Sequence, residues 1–308
     1  MWSSDIIMQR LKRFKSKHED YITAYLFVLP ILLLMAIWFY YPVFKNFLYS
    51  FTDANLLNSD SAQFVGIKNY IDLLSDSKFI NSLLISLEIT IIVVPIQTIL
   101  SIILAVLLNK IYRCKTLFRT VYYIPYITST VAATAVFMNL FVQNGLITKL
   151  FVQFGFPNVT WTADVGLALP FVMFLCVWQN VGFYMVMNLS GLQSIPGEIY
   201  DAARVDGAGA IQEFFYVTLP MLKPTLILVI LNGTMTCLQV FDQPYAISTN
   251  GGSLGFPAGA TSTSSIYFYN QSFRLYHVGY GSAAAIVIFL IILVVSILQL
   301  RFMEKGEE

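Results

Sequence analysis

The stretch Ser194-Ile-Pro-Gly-Glu-Ile-Tyr-Asp-Ala-Ala-Arg-Val-Asp-Gly-Ala-Gly-Ala-Ile-Gln-Glu-Phe-Phe-Tyr-Val-Thr-Leu-Pro220 is the polar exception in an otherwise apolar chain. It reads as two short helices joined by a turn. Ser194 is a candidate N-cap, and Pro196 falls in the first turn, where a missing N–H costs nothing. Glu198 and Asp201 come early in the first helix, on the favourable side of its dipole. Gly207 stands where that helix should stop and can supply a positive φ. A second helix is expected over about Ala210 to Val217, ended by Leu219-Pro220. Ala202 and Ala203 form a small-residue patch between charged neighbours. Small side chains let another backbone approach closely, while the charges fix register. The combination suits a docking knob for a partner protein; an amphipathic hairpin lying at a membrane surface without a partner is the plainer alternative.

The rest of the chain belongs in a bilayer. Of 308 residues, 57% are hydrophobic and 11% charged, and the mean hydropathy is +0.70. A soluble domain is about a quarter charged, and a surface with less than half of that could not stay solvated. The net charge of +1 gives no basic field for nucleic acid. Cys114, Cys176 and Cys237 do not suggest a disulfide framework, and His18 and His277 are too far apart in sequence to suggest a metal site.

A spanning helix needs about 20 mostly apolar residues. Uncharged runs predict six such helices, at roughly 22–42, 81–109, 120–143, 166–190, 221–243 and 280–300. The runs are too long and continuous for barrel strands, and hydrocarbon permits little else. With the N-terminus inside, thirteen of the eighteen Lys and Arg residues fall on inside segments, among them Arg10, Lys12, Arg13, Lys15, Lys17, Lys110, Arg113 and Lys115. That asymmetry places both termini in the cytoplasm. The organisation is then a cytoplasmic tail at 1–20, a six-helix unit over 21–303 with an inside loop at 191–220, and a tail at 304–308. The first span is too long for a signal-peptide core and is followed by no small-residue cleavage site.

No phosphate loop, zinc-protease helix or serine nucleophile elbow occurs, so no catalytic residue is assigned. Glu88 could pair within the bundle, and Asp242 reads as an anchor at the outer end of the fifth span. Trp38 and Trp178 read as packing or interface residues. Uphill transport would need an ion gradient or another subunit.

At this point a resemblance becomes specific. Asp201-Ala202-Ala203, three residues, Gly207, nine residues and Val217-Thr218-Leu219-Pro220 resembles the EAA motif of ABC importer permeases, where Glu-Ala-Ala, Gly and Ile-x-Leu-Pro stand at this spacing. Here Asp201 replaces the Glu and Val217 the Ile. Tyr25-Leu-Phe-Val-Leu-Pro30 with Tyr41-Pro42, Phe118-Arg-Thr120 with Ile124-Pro125-Tyr126, and Phe241-Asp242 with Asn250-Gly-Gly252 and Gly279-Tyr280-Gly-Ser-Ala283 resemble sugar-type permeases, in the maltose-type first-permease subgroup. The resemblance implies an all-α membrane protein with the six-helix type I importer permease fold. It implies a second homologous permease, two copies of an ABC ATPase, and an extracellular or periplasmic solute-binding protein. ATP and Mg would sit on the ATPase, and no cofactor on this chain. In that family the helix around Asp201 sits in a cleft of the ATPase and passes on its closure. A coupling role is thereby implied for Glu198, Asp201, Ala202, Ala203, Arg204, Asp206 and Gly207.

A sugar path needs polar donors and acceptors together with flat rings. In the fifth span Asn232, Thr236 and Gln239 share one helical face. In the fourth, Asn180 and Phe183 share a face with Cys176, with Gln179 adjacent, and in the third Tyr126 and Thr130 lie one turn apart. The maltose-type resemblance places sugar contacts on these three spans as well. Interhelical hydrogen bonding, worth about 0.6 kcal/mol per contact, would use the same residues. An ion-coupled carrier acting alone is the other functional class, but no internal repeat and no central carboxylate support it.

Overall fold

The computed structural model describes residues 24–57, 62–111 and 114–304. The basic cluster of the tail at 1–20, Asp60, Arg113 and Lys305 lie outside the described residues. Five helices are long and apolar enough to cross a membrane: Ala24–Tyr49, Ser77–Lys110, Val165–Gln193, Lys223–Thr249 and Val278–Met303. A sixth crossing is a bent pair, Lys115–Ile127 and Thr130–Leu140, meeting at 94°. In chain order these are spans one to six, the bent pair being span three.

That bend corrects the expectation of one continuous helix over 120–143, and its cause is chemical. Pro125 brings no N–H to the ladder. Thr128, Ser129 and Thr130 follow, and hydroxyls of this kind compete for backbone groups. Thr128 Oγ1 donates to the Pro125 carbonyl at 2.7 Å. The exposed break is then repaired from span four, where Gln179 Nε2 donates to Thr130 Oγ1 at 2.7 Å and reaches the Thr128 carbonyl at 3.5 Å. In hydrocarbon an unmade backbone bond costs several kcal/mol, so a break persists only where such a partner exists.

Two further prolines widen helices without breaking them. π-helical turns at Ala36–Tyr40 and Phe214–Thr218 each end two residues before a proline, Pro42 and Pro220. A proline clashes with the carbonyl four residues back, and a π turn moves that carbonyl aside.

Spans two and four form the centre. Ile89 and Val93 of span two and Phe171, Val172 and Leu175 of span four are almost wholly buried in one cluster. In lipid such pairs gain little from the hydrophobic effect, so close packing carries the association. Among the glycines the closest approach is at Gly182 of span four, where an added Cβ would lie 1.8 Å from the Tyr122 carbonyl oxygen of span three. Above this centre, the connection from span three to span four is closed by rings: Trp161 meets both Phe141 and Phe151 at 4.9 Å between centroids.

The segment 244–279 is largely helical. Asp242–Gly251 continues from span five and Ser264–Tyr269 precedes span six. Asp76 ties this region to span two. Its carboxylate caps the helix by accepting from the Lys78 N–H at 2.8 Å and also accepts from the Tyr267 hydroxyl at 2.5 Å. Burial pushes the Asp76 carboxyl up, but hydrogen bonds from Tyr267, the Lys78 and Phe79 amides and Tyr280 outweigh it and leave the carboxyl below its ordinary value. The Tyr267 phenol is pushed up, by burial first and by its bond to Asp76 second.

Two outcomes are expected. Gly182→Ala forces a methyl onto a rigid carbonyl and should destabilise the assembled protein by about 1–3 kcal/mol; thermal melting checks this against Gly197→Ala, where an added Cβ meets nothing within 4 Å. A carboxyl lowered in the folded state stabilises fully above its unfolded pKa of about 3.9, and that contribution is lost as pH falls through the lower folded value. The melting temperature of Asp76→Ala should therefore lie below wild type at neutral pH, and the gap should close as the pH falls below about 4.

Candidate functional site

The 191–220 segment folds as a knuckle of two helical limbs. The first limb is Gly197–Val205, with Pro196 at its N-cap. Ser194 is not the cap that its position suggests: its hydroxyl donates to the Gly191 carbonyl at 2.7 Å and so finishes span four. Gly207 has φ +84°. Its N–H donates to the Arg204 carbonyl at 3.1 Å, and that of Ala208 to the Ala203 carbonyl at 2.9 Å. This is the paired C-terminal closure in which glycine supplies the left-handed residue. The second limb starts at Ala210 and runs through the π turn to Met221. Leu219-Pro220 therefore does not end it, because Pro220 falls where the π turn has already displaced the carbonyl it would strike.

The two faces of the knuckle differ. Glu198, Asp201, Ala202, Arg204, Asp206 and Gly207 are exposed, and Ala203 is half-buried. Arg204 links the limbs, its Nη1 lying 3.2 Å from Asp201 Oδ1 and its Nε 3.3 Å from Glu213 Oε2. With Arg204 60% and Asp201 73% exposed, these pairs orient side chains and add little stability. The inward face is apolar. Ile199 and Tyr200 pack on a buried cluster that joins Leu108 of span two, Met185 and Leu189 of span four, and Leu222 at the foot of span five. The knuckle is thus keyed into three spans while its charged side stays free.

Midway along the bundle lies a polar cavity of about 320 Å³. Six of the eight residues proposed for a solute path line it: Tyr126, Thr130, Gln179, Asn180, Thr236 and Gln239. The other two stand just outside. Phe183 stacks on Tyr126, with ring centroids 4.5 Å apart and planes 12° from parallel. Asn232 accepts from the Tyr184 hydroxyl at 3.2 Å. Tyr126 and Thr130 flank the bend, so they converge on the cavity from two helices and not from one helical face. Asn180 Nδ2 donates to the Cys176 carbonyl at 2.8 Å, and Gln243 Nε2 donates to Gln179 Oε1 at 3.2 Å.

Gln243 and Asp242 also line this cavity, and the sequence reading missed both. The signal was present in the Phe241-Asp242-Gln243-Pro244 run, a polar cluster before a proline at the end of a span. Asp242, read as a structural anchor, is exposed and is the one full charge among the lining residues. Glu88 is exposed too, and among the described residues it makes no ion pair. Trp178 packs edge-on against Phe137 at 4.8 Å, whereas Trp38 is 78% exposed. Among the described residues no group of His, Cys, Asp and Glu could hold a metal ion.

A knuckle keyed into spans two, four and five at one end of the bundle, and a polar cavity midway along spans three, four and five, describe a transport component. Residues 97–305 match the family described as binding-protein-dependent transport system inner membrane component. The chain belongs to this family. It is 34% identical over 284 residues to the multiple sugar-binding transport system permease protein MsmF of Streptococcus mutans, covering 91% of this chain and 95% of that one. It is 30% identical over 291 residues to the arabinooligosaccharides transport system permease protein AraP of Bacillus subtilis, covering 92% and 90%. A crystal structure of a bacterial ABC transporter involved in import of the acidic polysaccharide alginate shares the fold, with TM-score 0.78 at 19% identity over 96% of this chain and 99% of that one. The chain is therefore a membrane-spanning permease subunit of a binding-protein-dependent ABC importer, a transport component and not an enzyme.

Gly207 offers a clean test of the knuckle, because an added Cβ there meets nothing within 4 Å and only the backbone conformation is at stake. A non-glycine L-residue in that conformation costs about 1–2 kcal/mol. Gly207→Val should lower uptake by the assembled importer while the complex still purifies intact, and Gly207→Asn, which tolerates positive φ, should retain most of it.

Proposed function

We propose that this subunit forms, with a second homologous permease, the path by which a sugar, most simply a neutral oligosaccharide, enters the cell. The observation that carries the reading is the polar face of span five. Asn232, Thr236 and Gln239 are all exposed in the single chain, and polar side chains within a span belong against protein or a water-filled cavity, not lipid. A second permease closing over that face completes the cavity. Amides and hydroxyls there can donate to or accept from sugar hydroxyls, and the Tyr126 ring offers a flat surface to a pyranose. The multiple-sugar and arabinooligosaccharide names of two relatives support the same substrate class.

The knuckle lies in the cytoplasm in this reading, with both termini on that side. Two copies of an ABC ATPase dock below the permease pair, one of them taking the exposed face of this knuckle into a cleft, and ATP and Mg are held on the ATPase; this chain holds no cofactor. Asp201 supplies the charged contact, Ala202 and Ala203 the close approach, and Gly207 the turn. A solute-binding protein docks on the other face of the membrane, as a periplasmic protein does in the alginate transporter complex of the same fold. Closure of the ATPase moves the knuckle, and Ile199 and Tyr200 carry that motion into spans two, four and five.

The test is uptake in vesicles by the reconstituted importer. Asn180→Ala combined with Gln239→Ala should change the rate or the order of preference among oligosaccharides while the purified complex stays intact, because Asn180 bonds only within its own helix. Uptake should require both the ATPase and hydrolysable ATP. Accumulation by this chain without an ATPase would overturn the proposal, as would a double variant with wild-type rates on every sugar tried.

A further inference from the structure

Two cavities lie one beyond the other along the same three spans. The polar cavity takes walls from Thr130 of span three, Asn180 of span four and Thr236 of span five. The other, about 680 Å³, takes walls from Thr116 and Arg119, Ser190 and Thr225 of the same spans. Spans three and five run away from the knuckle and span four runs toward it. Residue numbers shift accordingly, rising from the second cavity to the first along spans three and five and falling along span four. All three helices thus agree that the second cavity is the one on the knuckle side.

Two rings stand at the boundary. Tyr126 lines the polar cavity and Phe183 lines the other. Their centroids are 4.5 Å apart and their planes nearly parallel, so nothing passes between them. Phe183 meets Tyr184 edge-on at 5.3 Å, and the Tyr184 hydroxyl donates to Asn232. The layer therefore reaches from span three across span four to span five, and it is built from side chains alone.

One side of this layer is lightly held. The half-helix Lys115–Ile127 that carries Tyr126 contains no buried residue and ends at the 94° bend. Its Tyr122 carbonyl lies close against Gly182, next in sequence to Phe183. Swinging this half-helix about that contact would part the rings without unmaking a backbone hydrogen bond of span four.

We propose that the Tyr126–Phe183 stack, continued by Tyr184 and Asn232, is a septum across the solute path. The knuckle-side cavity beyond it is then a release chamber. Thr116, Thr120 and Ser190 offer hydroxyls there, and Arg119 offers a guanidinium that donates to the oxygens of a departing polyol. This inference rests on reading the polar cavity as the solute path. It gives Asn232 a different place from Thr236 and Gln239, in the layer and not on the cavity wall.

The test uses the complete reconstituted importer with Cys114, Cys176 and Cys237 replaced by serine. Thr130→Cys and Thr120→Cys are introduced singly and treated with a membrane-impermeant maleimide from one face at a time, with the ATPase held closed by a non-hydrolysable ATP analogue. Thr130→Cys should react from the face opposite the knuckle and Thr120→Cys from the knuckle face. Adding Tyr126→Ala and Phe183→Ala should raise labelling of Thr120→Cys from the opposite face several-fold, whereas Phe183→Tyr should leave it one-sided. If ring removal prevents assembly, Phe183→Leu with Tyr126→Leu keeps the bulk while removing the flat contact, and the same gain of labelling is expected. Unchanged sidedness after ring removal overturns the septum, as does labelling of both thiols from one face in the ring-intact protein. If the Asn180→Ala and Gln239→Ala effects on sugar preference persist in that case, the solute path stands and the septum alone falls.

Discussion

Hydrocarbon offers no hydrogen bonds, and this one constraint organises the molecule. It forces the crossings to be helical, and it sets a condition on every departure from a helix. The bend in span three is tolerated because Gln179 reaches over from span four to Thr128 and Thr130. The same glutamine accepts from Gln243, which comes from the end of span five. Three elements are therefore fixed to one another by the side chain that repairs the bend. A polar cavity grows there because the groups that satisfy a broken helix are also groups that can face a solute.

The knuckle end of the bundle solves a mechanical problem. A surface helix can transmit force only if its inner face is stiff against what it moves. Ile199 and Tyr200 give the knuckle that stiffness by packing on a cluster shared by spans two, four and five. Its outer face stays charged and exposed, held in shape by the Arg204 pairs and by the glycine turn at Gly207. Docking and transmission are thus separated on opposite sides of one short helix.

Much of this was legible in the sequence for identifiable reasons. Uncharged runs long enough to cross a bilayer leave few alternatives, and the Ala202-Ala203 to Gly207 spacing carries its own turn chemistry. The Asn232, Thr236 and Gln239 stripe could be read because Asn232 and Thr236 share the helix Lys223–Leu238 and Gln239 caps its end. Breaks were harder. Thr128-Ser129-Thr130 are ordinary residues until Gln179 of another span stands opposite them, and no local pattern announces that partner. Ser194 failed in a related way: a serine before a proline can close one helix as easily as open the next, and the hydroxyl here turned backward to Gly191. Asp242 was misplaced because span five does not simply end; the chain stays helical from Asp242 to Gly251 beside the cavity.

The walls of the polar cavity have a consequence for how long a passenger stays. Gln179, Thr130 and Gln243 already bond to one another, so an arriving hydroxyl exchanges partners and does not fill vacancies. Each exchange is worth little in net free energy. Cys176 and Cys237 contribute only weakly polar sulfur to the same walls. A compartment furnished in this way lets its contents go, and a conduit that gripped harder would become a trap.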